Sequence, residues 1–472
     1  MTMKKTFIAA SIALTALSGC NSDDTVQTYT EARFATFNLS FDRASYEDLV
    51  SEMSLTNKEQ NQLVRDFNKN ALTGDDLEKA KKVIQIRNVA EIIQRVRPNA
   101  FVLAEFNNDG KGEDMRALNG FQDNYLAYSQ KDETPIFFAY KKNVATNTGL
   151  QSGFDLDNSD SIADIEGRAG DDAWGFGDYH GQYAFAVFSQ FEIDEANVRT
   201  FQHFKWKDMP DGKGNAKTDN IKIATCEGLD KDNNKINICP EGKKVGDNWY
   251  SDMAWDQFPV SSKNHADIPV IIPKANGEKE VVHFLVSHPA PPIFDNAAKH
   301  NTQRNRAELK FWNDYIASET YFYDDQGHTG GLAAGSNFVI AGDLNADHEM
   351  GDGDQEVIGN LLNSSLVNTR ATIGDYSPQS LGGRYCLDSK VCKQDNVNTP
   401  HPLNITSTSG LRLDYVIPSA TLEVKGSGVF WPVEGQDGYH LVFDESLNKD
   451  YPHSKSVSSD HRMVWVDLDL SK

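Results

Sequence analysis

Apolar residues in this chain gather in short runs separated by long polar stretches. Most runs are four to nine residues long and rich in β-branched and aromatic side chains, which predicts strands rather than helices. Arg33–Ser40 (RFATFNLS), Phe101–Phe106 (FVLAEF), Tyr183–Phe191 (YAFAVFSQF), Phe201–Asp208 and Ile268–Ile272 are of this kind. So are His283–Val286, Asn337–Ala341, Leu413–Pro418 and Arg462–Leu470. Two segments carry the helical period instead. Val83, Ile86, Ala90, Ile93 and Val96 recur at spacings of three and four, with Asp75 and Asp76 placed to cap the start and Pro98 to stop the run. Leu309, Trp312 and Ile316, with Phe311 and Tyr315, mark a second amphipathic helix over 300–318. From about 141 to 180 and from 209 to 262 the chain is rich in Asp, Gly and Asn and predicts loops. With no fixed-period repeat and no long linker, the pattern predicts one strand-rich α/β domain over 32–472, carrying long inserted loops.

Unusual polar residues sit repeatedly at the ends of these strands. Asn38 follows FATF, Glu105 follows FVLA, His288 follows HFLVS, and Asp343 and Asn345 follow NFVIAG. Asp414 opens DYVIP, and Asp460-His461 precedes RMVWVDL. A carboxylate such as Glu105 in an apolar strand is costly unless it is paired or bound to metal. One such residue means little, but their recurrence predicts a shared cleft at one edge of the sheets. Carboxylates with amides suit a hard divalent ion such as Mg²⁺ or Mn²⁺, and the histidines suit phosphate contact or proton transfer.

In this order, Phe37-Asn38, Glu105, Ser287-His288-Pro289, Gly342-Asp343-Leu344-Asn345, Leu413-Asp414-Tyr415 and Ser459-Asp460-His461 resemble the endonuclease/exonuclease/phosphatase superfamily over about residues 33–468. The resemblance implies a four-layer α/β/β/α sandwich and metal-dependent hydrolysis of phosphoester bonds, as in nuclease, phosphatase and phospholipase-like members. It implies that Glu105, helped by Asn38 and Asp460, holds the metal. Asp343 would activate the attacking water, and Asn345 would fix the water or the phosphate. His461, oriented by Asp414, would contact the phosphate, with His288 as a second donor. The implied partner is a phosphoester: nucleic acid, phospholipid head group or small phosphate ester. No protein partner is predicted.

Other readings of these segments compete. Asp343, Asn345, Asp347 and Asp354 match the opening and twelfth position of a Ca²⁺ loop, but His348 stands where the turn needs Gly and a strand precedes the motif. DLDNSD at 155–160 and DHEMGDGDQE at 347–356 hold oxygen ligands suited to structural Ca²⁺, and read equally as solvated acidic loops. Arg304, Arg306 and Arg412 are candidate phosphate contacts, while Trp249, Tyr250, Met253 and Trp255 make an aromatic insertion suited to core packing or lipid. The rival function is a non-catalytic, Ca²⁺-dependent surface binding lipoprotein on the same fold.

Composition narrows the partners. The 472 residues are 39% hydrophobic and 24% charged, which excludes wholesale disorder. A net charge of −23 and the lack of a basic run argue against binding of polyanions through basic patches alone. Lys4 and Lys5, an apolar run from Phe7 to Leu17 too short to span a bilayer, and Leu17-Ser18-Gly19-Cys20 resemble a bacterial lipoprotein signal. That implies removal of 1–19, lipid on Cys20, a flexible tether over 20–31 and, from Ser22, sorting to the outer membrane, on its periplasmic or outer surface. Export leaves Cys226, Cys239, Cys386 and Cys392 in an oxidising compartment, where proximity favours Cys226–Cys239 and Cys386–Cys392 among three pairings. A zinc site is the rival, without a C-x₂-C pair or a histidine cluster.

Overall fold

Strand alternation sorts side chains onto two faces, and that sorting builds this molecule. The structure is a computed structural model, and it describes residues 27–162, 169–389, 391–392, 399–451 and 453–471. The leader, Cys20 and the start of the tether lie outside the described residues.

In chain order the strands are β1 (Glu31–Phe41), β2 (Ala100–Phe106), β3 (Tyr140–Asn143), β4 (Phe185–Ser189), β5 (Glu192–Ile193), β6 (Arg199–Thr200) and β7 (Glu227–Leu229). They continue with β8 (Lys235–Asn237), β9 (His265–Pro273), β10 (Lys279–Ser287), β11 (Asn337–Asp343), β12 (Asp414–Pro418), β13 (Glu423–Val429) and β14 (Val464–Asp469). One sheet has the order β13-β14-β1-β2-β4-β3, a second has β12-β11-β10-β9-β5 with β6 also on β9, and β7 pairs with β8.

The two large sheets lie face to face. Phe34, Val102 and Val187 of the first meet Ile268, Phe284 and Val339 of the second in one buried cluster, with the Phe34 and Phe284 rings 5.3 Å apart. Each fully buried side chain of this size contributes about 1.5–3 kcal/mol. On the outer face of the first sheet, Phe37 and Leu103 pack under helices α1 (Tyr46–Met53), α3 (Gly74–Val96) and α4 (Arg116–Phe121), with α2 (Asn57–Asn68) against α3. The outer face of the second sheet carries Leu285, Ile340 and Ile417 under α5 (Asp252–Trp255), α6 (His300–Ile316) and α7 (Gln355–Leu362). The architecture is mixed α/β, two central sheets flanked by helices on both sides.

Several local expectations need correction. Phe201–Asp208 is not a strand: pairing with β9 ends at Thr200, and Phe201, Phe204 and Trp206 turn into the cluster under α6. Asp75 and Asp76 lie in the first turn of α3, whose N-cap is Thr73. The sequence reading left out α1, although Tyr46, Leu49, Val50 and Met53 carry the helical spacing, and α2, which buries only Gln60 and is marked by the Thr56/Glu59 capping box rather than by a buried stripe. Segments expected as loops are ordered by backbone pairing. Gly149 N donates to Gly175 O (2.8 Å), Gly175 N to Asn147 O (3.0 Å) and Asn147 N to Lys263 O (2.9 Å). Disulfides join Cys226 to Cys239 and Cys386 to Cys392. Among the described residues no helix is long and apolar enough to cross a membrane.

Candidate active site

The inter-sheet face explains where the polar strand ends converge. On β1, Ala32 and Phe34 face the second sheet, and Asn38 falls on the same parity at the end of the run. Val339 and Ala341 lead likewise to Asp343, Phe284 and Val286 lead to His288, and Val416 looks back to Asp414. Asp343 and Asp414 are direct cross-strand partners. Each apolar strand therefore ends in a polar residue aimed between the sheets.

Glu105 reaches the same place by breaking the rule. Phe101 and Leu103 face the helices, so strict alternation would turn Glu105 outward with them. Its φ is +55, however, and Phe106 takes the helix-facing position instead. Opposite it, the β1/β2 register shifts between Asn38 and Phe41, with Ser40 at φ +52. Paired left-handed residues of this kind re-aim side chains at functional edges.

Asn38 links the two halves. Its Nδ2 donates to Glu105 Oε1 (3.1 Å) and to Asp343 Oδ2 (3.0 Å), and its Oδ1 accepts from Ser40 N (3.0 Å). The Ser459-Asp460-His461 segment is sewn to the same strand end: Ser459 Oγ donates to Asn38 O (2.6 Å), Ser40 Oγ donates to Asp460 Oδ1 (2.6 Å), and His461 N donates to Ser459 Oγ (3.0 Å). His461 Nδ1 lies 2.9 Å from Asp414 Oδ2 and 3.7 Å from Asp343 Oδ2. Thr406 Oγ1 donates to the same Asp414 oxygen at 2.7 Å. His288 Nε2 is 3.6 Å from Asp343 Oδ2. Asp343 Oδ1 accepts from Asn345 N (3.0 Å), and the Asn345 amide donates to Pro289 O (3.1 Å), with Asn345 at φ +51.

Electrostatics follow from burial and neighbours. Burial and the Asp460 carboxylate push Glu105 up to about 7, against the Asn38 hydrogen bond and His461. Burial raises Asp414 to about 6, opposed by His461. Burial lowers the His461 pKa, but the Asp414 and Asp343 carboxylates outweigh it and hold the imidazole well above its ordinary value. Burial, then the charges of Lys263 and His461, drive His288 the other way, to the neutral form. Among the described residues, the groups of three ligand atoms within 4.8 Å of one another are Asp343, Asp414 and His461, and Asp155, Asp157 and Asp172. In the first group Nδ1 of His461 is committed to Asp414. Glu105 and Asp460 offer hard oxygens and mutual repulsion beside it, which suits a divalent cation.

Two residues escaped the sequence reading. Lys263 is buried, lines the cavity and donates to Pro289 O at 3.3 Å. Burial lowers its pKa, while the Glu308, Asp343 and Glu105 carboxylates favour its charge. Glu308 accepts from Ser262 N (2.6 Å) and Ala290 N (2.7 Å), so one side chain fixes the segments that carry Lys263 and follow His288. Nothing in the sequence sets Lys263, two residues before β9, apart from a surface lysine. Other candidates are engaged by the fold. His265 is buried against Phe311 and Trp312, with Ser261 Oγ 2.8 Å from Nδ1. Arg304 donates to Pro259, Val260 and Ser261 carbonyls, Arg306 pairs with Asp354, and Arg412 donates to Thr372 O. Asp354 caps α7 and Asp347 accepts from Arg412 N, so these two carboxylates are already used by the fold.

Glu105, Lys263, His288, Asp343, Asn345 and His461 open into one cavity of about 850 Å³. The Endonuclease/Exonuclease/phosphatase family matches residues 35–461. No curated protein matches the chain. Among solved structures, an endonuclease/exonuclease/phosphatase from Beutenbergia cavernae is similar at 13% identity and a TM-score of 0.41, over 94% of this chain and 72% of that one. A family protein from Bacteroides thetaiotaomicron is similar at 11% identity and 0.38, over 93% and 98%. Beta toxin from Staphylococcus aureus is similar at 11% and 0.35, over 92% and 99%.

Proposed function

We propose, from the premise that this chain belongs to the endonuclease/exonuclease/phosphatase family, that it is a divalent-metal-dependent hydrolase of phosphoester bonds whose reaction centre is the cluster at the strand ends. One observation carries the reading: a single buried amide, Asn38, hydrogen-bonds both Glu105 and Asp343, with the Asp414–His461 pair against the latter. Glu105 and Asp460 are the residues that would hold Mg²⁺ or Mn²⁺. When bound there, such an ion draws charge from a phosphate oxygen.

The chain's own residues do the rest. Asp343, its plane fixed by the Asn345 backbone and the Asn38 amide, orients a water and accepts its proton as the oxygen attacks phosphorus. His461, kept cationic and with Nδ1 held by Asp414, presents its other N–H to the phosphate. Neutral His288 adds a donor, and Lys263 adds positive charge where the phosphoryl oxygens gain negative charge. The P–O bond opposite the water breaks, and the leaving oxygen keeps the bonding electron pair and takes a proton from solvent to depart as the alcohol.

The test is purified protein with bis-p-nitrophenyl phosphate, a monoester, plasmid DNA and sphingomyelin, under Mg²⁺, Mn²⁺, Ca²⁺ and EDTA. Turnover that EDTA abolishes and Mg²⁺ or Mn²⁺ restores is expected. Absence of metal-dependent turnover on all four substrates would favour the Ca²⁺-dependent binding module instead.

The reading extends to location. Lys4, Lys5, the Phe7–Leu17 run and Cys20 support export with lipid attached at Cys20 and anchoring at the outer membrane. Two disulfides in the folded domain suit that compartment.

A further inference from the structure

The cavity that holds the reaction centre is also lined by aromatic side chains. Leu156, Trp249, Tyr250, Phe258 and Pro291 form the inner wall. At the rim stand Phe176 and Phe294, 57% and 88% exposed. Large apolar side chains left open to water beside a cleft mark ligand contact. Phe294 is also held where it is: it has φ +57, and Asn301 Nδ2 donates to the carbonyls of Ile293 (2.7 Å) and Phe294 (3.4 Å). Asp295, the next residue, accepts from Asn301 N (2.8 Å) and Thr302 N (3.2 Å) at the start of α6. The ring is thus presented to solvent from a left-handed backbone position whose carbonyl is held by Asn301 of α6.

Charge limits what this bay accepts. The Arg304 guanidinium, the cation on its inner wall, donates to three backbone carbonyls and lies 5.0 Å over the Phe258 ring. We infer that the bay takes the uncharged, ring-bearing substituent of a small phosphoester, stacked against Phe294 and Phe176, while the phosphate sits at Asp343 and Lys263. This rests on the phosphoesterase reading above and names its substrate class.

The test compares two diesters that share p-nitrophenol as leaving group, the methyl ester and the thymidine 5′ ester, with Mn²⁺ present. The ring-bearing ester is expected to have the higher kcat/KM. Phe294→Ala should lower the ratio of ring-bearing to methyl kcat/KM about tenfold, mainly through KM, on the scale of one stacking contact. Phe176→Ala should lower the same ratio. Equal turnover of both esters, or an equal loss on both in the variants, overturns the inference and leaves the phosphoesterase reading standing. A faster methyl ester, or preference for a lysophospholipid or plasmid DNA over the thymidine ester, overturns it too. No turnover of any ester removes the reading on which it rests.

Discussion

His461 is a buried imidazole between two carboxylates, 2.9 Å from Asp414 and 3.7 Å from Asp343, and its role follows from that position. His461→Ala removes the cation and leaves Asp414 facing Asp343 across the strand pair. Asp343→Asn removes the proton acceptor and keeps the shape. Each should cut turnover at least about 10²-fold with the circular dichroism spectrum unchanged, and a near-normal rate in either would refute the role assigned to it. Lys263→Met tests the buried cation. Its loss should lower kcat/KM about 10- to 100-fold, the scale of a charged hydrogen bond, and also lower the melting temperature, because the buried Glu308 and Asp343 carboxylates lose a compensating charge. Two further buried histidines, His265 and His300, bear on stability. Burial, against a backbone hydrogen bond at Glu308, holds His265 at about 3, and burial with Arg304 holds His300 at about 3. Both are neutral in the fold, whereas in the unfolded chain they bind protons below about pH 6.5. Stability is therefore fully present above that pH and falls as pH drops toward 3, by up to about 1.4 kcal/mol per pH unit for each group. Urea melts between pH 7 and 4 check this, and His300→Gln should flatten the slope.

At the level of elements, the site depends on segments that the pattern could describe only as loops. Gly175 packs so closely that a Cβ there would meet Ser262 O at 1.9 Å, one residue from Lys263. Gly175→Ala must therefore push the 261–263 segment outward. It should destabilise by roughly 1–3 kcal/mol and reduce turnover together, read from urea melts and initial rates. Strands and long helices were legible because their apolar periods are local. The Glu105 reversal was not, since nothing in FVLAEF announces φ +55, and Lys263 looks in sequence like any surface lysine. Short helices such as α2 were missed because their stability comes from capping and a neighbour rather than from a buried stripe.

For the whole molecule, location and fold are separable. Cys20→Ser should abolish palmitate labelling and release the protein from the membrane fraction, while turnover by the purified domain stays unchanged, because the catalytic domain's core is built from residue 32 onward. Sequence by itself determined the strand-rich α/β class, the two long helices and the polar residues at strand ends, because alternation and helical period are properties of neighbours along the chain. Tertiary structure alone decided that Glu105, Asp343 and His461 share one cavity, with Asn38 hydrogen-bonded to the first two, that Lys263 joins them, and that aromatic side chains line the same cavity. Those facts depend on burial and contact between segments hundreds of residues apart, and such contacts leave no periodic trace in the chain.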